Sequence, residues 1–162
     1  MADRWVVNAS PVILLGKAGV VHLLPSLCDE LVIPAGVVGE VQQGRLADAG
    51  RAWLAGEGAR FVRPAPPLHS ALALWNGGAG EAEVISWALA HPGFRAVLDD
   101  RAARRLATLQ GVPILGSLRA IVMAKERGLI PQARPALEKL RGAGAYVSDD
   151  LIERAIALAG EA

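Results

Sequence analysis

The chain has 162 residues, 52% apolar and 20% charged, and its 17 Lys plus Arg against 16 Asp plus Glu leave a net charge of +1. These proportions exclude a disordered chain and a bulk polycation, and the length predicts one domain spanning 1–162. A single cysteine, Cys28, excludes an internal disulfide and a Cys-based metal site, and His22, His69 and His91 are too scattered to pair on zinc.

Taken in chain order, Trp5-Val6-Val7 reads as a short buried strand. It ends at Asn8-Ala9-Ser10-Pro11, where Ser10 is the candidate cap and Pro11 suits the first turn of a helix over Val12–Ala18. Leu31-Val32-Ile33 is a second strand, followed by Pro34 and a helix bearing Val37, Val38 and Val41. Next come a helix near Leu46–Ala55, a strand over Ala59–Arg63, and a stiff break at Pro64, Pro66 and Pro67. A short helix over Leu68–Trp75, a glycine-rich loop over 77–80 and a strong helix over Glu81–Ala90 follow. Arg95–Leu98 is a third buried strand ending at Asp99-Asp100, ahead of a helix over 101–110 and a strand over Val112–Leu115. Gly116-Ser117 opens a helix over 118–127, which Gly128 stops, and two short helices near Pro135–Arg141 and Asp149–Ala159 complete the series.

The strands lack period-two alternation, so both sheet faces are covered. That predicts a parallel α/β sandwich with helices on either side. No run of 18 apolar residues spans a membrane, and Asp3, Asn8, Pro11 and Lys17 interrupt the N-terminal apolar stretch, so the expected location is cytoplasmic.

In such sheets ligands bind beyond the carboxyl ends of the strands. The residues there are Asn8, Ser10, Asp99, Asp100 and Ser117, with helix-borne Glu40 and Glu81 nearby in sequence. Several chemistries fail at once. Gly80 is followed by Glu81 and not by Lys-Ser/Thr, no Gly-x-Gly-x-x-Gly turn follows the first strand, and no Gly-x-Ser-x-Gly elbow exists. Asn8 stands where a phosphoaspartyl enzyme needs Asp. What remains is a set of carboxylates without His or Cys, a hard oxygen set suited to Mg²⁺ or Mn²⁺.

Each candidate also has a plainer role. Glu40 borders the buried stripe of Val37, Val38 and Val41, or is a solvated helix charge. Glu81 shares the stripe of Val84 and Ile85, or complements its own helix N-terminus. Glu83 falls off that stripe and is expected at the surface. Asp99 and Asp100 point to opposite sides of the strand, so one faces a site and the other caps. Residues 95–141 carry a net charge of +6. Within them Arg101, Arg104 and Arg105 form one helix face, either a grip on phosphates or a solvated face, with Ala102, Ala103, Leu106 and Ala107 inward. The four Trp are expected in the core.

The ordered set of five segments, Val-Val-Asn-Ala-Ser-Pro-Val-Ile-Leu-Leu, Leu-Val-Ile-Pro with Val-Val-Gly-Glu-Val, Gly-Glu-Ala-Glu-Val-Ile, Val-Leu-Asp-Asp-Arg-Ala-Ala-Arg and Gly-Val-Pro-Ile-Leu-Gly-Ser-Leu, resembles a PIN-like domain over about residues 5–160. It is most similar to a prokaryotic branch related to the toxin ribonucleases of toxin–antitoxin pairs. The resemblance implies a three-layer α/β sandwich, Mg²⁺ or Mn²⁺ held by acidic residues, and endoribonuclease action on single-stranded RNA. It also implies a small antitoxin protein as partner, and a homodimer is a separate expectation. Carried over by position, it places the metal-binding set on Asn8, Glu40, Glu81 and the Asp99-Asp100 pair. Glu40, Glu81, Asp99 and Asp100 are the catalytic acids, and Ser10 and Ser117 support them. Asn8 departs from the pattern, since most active relatives have Asp there. An amide oxygen can still coordinate a metal but brings no charge, and the alternative is a non-catalytic module that binds RNA or a protein.

Overall fold

A computed structural model describes residues 2–43, 48–145 and 147–161. Strand β1 (Arg4–Val7) leads into α1 (Ala9–Lys17), a 3₁₀ turn (Val21–Leu23), α2 (Leu24–Leu27) and β2 (Glu30–Pro34). Then come α3 (Ala35–Gln42), α4 (Ala49–Ala55), a 3₁₀ helix (Glu57–Phe61), β3 (Val62–Arg63) and a 3₁₀ turn (Ser70–Leu72). The second half holds α5 (Ala79–Ala90), β4 (Phe94–Val97), α6 (Arg101–Leu109), β5 (Ile114–Leu115), α7 (Ser117–Glu126), α8 (Arg134–Gly142) and α9 (Asp149–Leu158).

The five strands form one parallel sheet in the order β3-β2-β1-β4-β5. Trp5, Val6 and Val7 of β1, Leu31, Val32 and Ile33 of β2, and Ala96 and Val97 of β4 are all buried, as strands covered on both faces must be. α5 packs on β1, β2 and β4, and α6 packs on β5, so helices cover the sheet in an α/β sandwich. α1 itself packs on α3 and α4, while α7 meets α8 and α9. From β1 the chain steps outward to β2 and β3, then returns to build β4 and β5 on β1's other side. The order therefore reverses between β1 and β4, where Val7 pairs with Val97 and the Asn8 N–H donates to the Val97 carbonyl (3.2 Å). The crevice beyond these two strand ends is the switch point of the sheet.

The α1–α4 crossing depends on two glycines. A Cβ on Gly16 would lie 2.4 Å from the Gly50 nitrogen, and one on Gly50 would lie 2.5 Å from the Val12 carbonyl oxygen. Backbone meets backbone there, so neither position has room for a side chain.

Several local expectations need correction. α1 starts at Ala9, with Asn8 in the capping position and Ser10 inside the first turn. Residues 57–61 coil into a 3₁₀ helix, leaving Val62–Arg63 as a two-residue edge strand that Pro64 ends. The helix expected over Leu68–Trp75 is only the turn Ser70–Leu72, whose Ala71 N–H donates to His69 Nδ1. Leu46 and Ala47, the expected start of the fourth helix, lie outside the described residues. Trp5 and Trp53 are buried, whereas Trp75 and Trp87 are half-buried and not fully in the core. Among the described residues no single helix is long and apolar enough to cross a membrane.

Candidate functional site

The site is built at the switch point. Asn8 follows β1 directly and is itself only 2% exposed. Its side chain makes no cap bond to α1, and its Oδ1 is buried without a hydrogen-bond partner. A buried amide oxygen with nothing to accept is costly unless a cation or a water serves it.

Asp99 follows β4 and points across to α7. Its Oδ1 accepts the Ser117 N–H (2.8 Å), and its Oδ2 accepts the Ser117 hydroxyl (2.6 Å) and, more weakly, the Ser10 hydroxyl (3.5 Å). Gly116 precedes Ser117 with no side chain to cap α7, so the carboxylate of a different element does so. The next residue, Asp100, caps its own helix, Oδ2 accepting from the Ala103 N–H (2.9 Å). The two neighbours thus divide as opposite sides of a strand end require: one ties α7 and the other starts α6.

One cavity of about 630 Å³ is walled by Ser10, Glu81, Asp99, Asp100, Arg104 and Ser117 at its polar end. Leu14, Leu118, Leu140 and Val147 form its apolar side. Asp99, Asp100, Arg101 and Arg104 line an adjoining hollow. Glu81 titrates above the ordinary glutamate range. Burial is the main cause, the Asp100 charge adds to it, a bond from the Gly78 backbone opposes it, and Glu40 adds a smaller push upward. The charges of Asp100 and Glu40 therefore both act on Glu81.

Glu40 and Arg105 are not among the described residues lining that cavity. The Glu40 carboxylate is half-buried, and its Oε1 accepts the Gly80 N–H (2.8 Å) at the start of α5. Glu83, expected at the surface, is half-buried and accepts the Gly36 N–H on Oε1 (3.1 Å). Periodicity within one helix hides that role, because the partner lies 47 residues away. In α6 only Ala103 and Ala107 are buried; Leu106 is half-buried, and Ala102 is exposed where an inward position was expected. Arg101 and Arg105 are exposed, while Arg104 is half-buried and donates from Nη1 to the Leu98 carbonyl (2.9 Å). Cys28 lies at the opposite end of the sheet, its thiol pushed up to about 12 by burial and by the charges of Asp3 and Asp29, so it is no nucleophile at neutral pH.

Among the described residues no three His, Cys, Asp or Glu side chains come together as a ligand set, so the expected convergence of three or more carboxylates is not realised. The donor chemistry still fits a small hard cation. Mg²⁺ keeps several waters and takes one or two carboxylates. Glu81 with Asp99 or Asp100 supplies those; Asn8 is not among the described residues lining the cavity, and its orphaned Oδ1 lies at the end of β1, next to the end of β4.

No curated protein and no solved structure matches the chain. A family model described as PIN domain matches residues 4–161, nearly the whole chain. The parallel sheet and the acids at its switch point agree with that match. This chain therefore belongs to the PIN-domain family, a nuclease-type fold whose members generally act as nucleases with divalent metals.

Proposed function

We propose that the protein is a Mg²⁺- or Mn²⁺-dependent endoribonuclease acting on single-stranded RNA, and the toxin of a toxin–antitoxin pair, with a small antitoxin protein as its partner. The observation that carries this reading is the shared cavity of Glu81, Asp99, Asp100 and Arg104 at the switch point. Glu81 and one of Asp99 and Asp100 would hold the cation, with Asn8 Oδ1 as a neutral donor. The chemistry such a cation supplies is a water made nucleophilic at neutral pH and relief of charge on the phosphoryl oxygens.

The chain's own residues do the rest. Ser117 fixes both Asp99 oxygens, so that carboxylate does not rotate when RNA arrives. Arg104 has further N–H donors beyond the one given to Leu98, and from the cavity wall these suit a phosphate. Arg101, on the adjoining hollow, and exposed Arg105 extend the positive face along α6.

A second reading is a PIN module that binds RNA or a protein without cutting. Asn8 favours it, since an amide in place of a carboxylate removes one charge from the site. Incubation of unstructured RNA with the wild type and with Asn8→Asp, each with Mn²⁺ and with chelator, separates the two. Mn²⁺-dependent cleavage that disappears in Asp100→Asn supports the nuclease. RNA binding with no cleavage by any of these proteins supports the module.

A further inference from the structure

We propose that Glu40 and Glu83 form a reciprocal clamp that holds α3 against α5 and fixes Glu81 at the cavity, with Glu40 a positioning residue and not a cation ligand. The Glu81 part rests on the metal-site reading above.

Neither helix can close its own N-terminus. The residue before α3 is Pro34 and the residue before α5 is Gly78, and neither offers a side-chain acceptor. Each helix still has orphan amides in its first turn. Both are served in trans at the second helical residue. Glu83 of α5 takes the Gly36 N–H of α3, and Glu40 of α3 takes the Gly80 N–H of α5. From Gly36 to Glu40 is one turn forward along α3, and from Glu83 to Gly80 is one turn back along α5. The two bonds run in opposite directions between the helices, so each first turn is tied to the other helix.

Both glycines are needed. A Cβ on Gly36 would fall 1.7 Å from Glu83 Oε2, and one on Gly80 would fall 2.8 Å from Glu40 Oε1. A carboxylate at a helix N-terminus also meets the positive end of the helix dipole, so each Glu is held by charge as well as by its bond. Glu81 sits between Gly80 and Glu83, the two clamped residues of α5. The two bonds flank it and restrain its backbone relative to α3. The Glu40 carboxylate gives Oε1 to the Gly80 amide and, among the described residues, is not part of the cavity lining that holds Glu81, Asp99 and Asp100.

Amide hydrogen exchange and Mn²⁺ titration calorimetry on the full chain test this, using Glu83→Ala, Glu83→Gln, Glu40→Gln and Glu81→Gln. Glu83→Ala is expected to lose protection at Gly36 and to weaken Mn²⁺ binding by roughly 10-fold, as loss of a residue that orients a ligand does. Glu83→Gln keeps an oxygen for Gly36 and is expected to recover most of both. Glu40→Gln likewise keeps an acceptor for Gly80, and is expected to weaken Mn²⁺ binding far less than Glu81→Gln does. A residue that only stabilises the fold lowers the melting temperature and leaves affinity alone, so unchanged affinity in a folded Glu83→Ala overturns the proposal. Equal losses in Glu40→Gln and Glu81→Gln overturn it too, because they make Glu40 a ligand. Should Glu83→Ala not fold, Gly36→Ala, which displaces the Glu83 carboxylate, is read in the same two ways. If the wild type binds no Mn²⁺, the metal reading fails, and protection at Gly36 and Gly80 alone decides whether the clamp exists.

Discussion

Asp99 accepts both donors of Ser117, the backbone N–H on one oxygen and the hydroxyl on the other, at 2.8 and 2.6 Å. This joins the end of β4 to the start of α7 at the reversal point of the sheet. It gives Asp99 a defined orientation before any substrate binds, and it makes a residue of the site a structural tie as well.

The first expected outcome follows from that tie. Ser117 is 1% exposed, so Ser117→Ala removes a buried hydroxyl from a carboxylate while the backbone bond remains. The loss is expected to be about 1.5–3 kcal/mol, the range for hydrogen bonds to charged groups. Urea unfolding at neutral pH measures it, and a variant as stable as the wild type makes the short hydroxyl contact unimportant.

Asn8→Asp tests the orphaned amide. The new carboxylate would be buried where the present oxygen has no partner, and an unpaired buried charge costs several kcal/mol. A lower melting temperature in chelator is expected, recovered in part by millimolar Mn²⁺, with tighter Mn²⁺ binding by calorimetry. If neither chelator stability nor Mn²⁺ affinity moves, Asn8 only starts α1 and lies outside the site.

The pH dependence follows from Glu81. Its folded-state pKa is raised, mainly by burial and then by Asp100, so the folded protein holds this proton more tightly than the unfolded chain. Above the raised value ionised Glu81 therefore weakens the fold, and the penalty is relieved as pH falls through that value to the unfolded one near ~4.3. In chelator, Glu81→Gln is expected to be more stable than the wild type at neutral pH, with the advantage gone by about pH 4. Unfolding curves across that range check the sign, and a wild type at least as stable as the variant at neutral pH contradicts it.

The basic face is tested by salt. Each phosphate neutralised on a single strand gives a slope of roughly −0.7 in log affinity against log salt. Arg101, Arg104 and Arg105 changed together to Gln are expected to lower RNA affinity and flatten the slope by up to about two units. An unchanged slope in a folded variant leaves α6 as a solvated face.

The strands β1, β2 and β4 were legible because each is a run of apolar residues buried on both sides, and the switch-point logic followed from them. Asp99 and Asp100 were legible as a pair, though not which one caps, because that depends on Ser117 lying across the crevice. β3 was not legible in extent. It is two residues at the sheet edge, and the apolar Phe61 before it belongs to a 3₁₀ helix. Glu83 was hidden for another reason: its partner, the Gly36 amide, belongs to a different helix, and no periodicity within α5 reports it. A signal was present in the sequence all the same, since Pro34 and Gly78 leave two helix starts uncapped and glycines stand at the second position of both.

The proposed nuclease depends on a divalent cation held by Glu81 and one of Asp99 and Asp100. Its most direct test is Mn²⁺ titration calorimetry on the wild type and on Glu81→Gln combined with Asp100→Asn, at matched ionic strength, with folding confirmed by circular dichroism. Saturable binding of Mn²⁺ is expected for the wild type and none for the double variant. Binding of equal strength in both proteins would place the cation elsewhere and contradict this expectation.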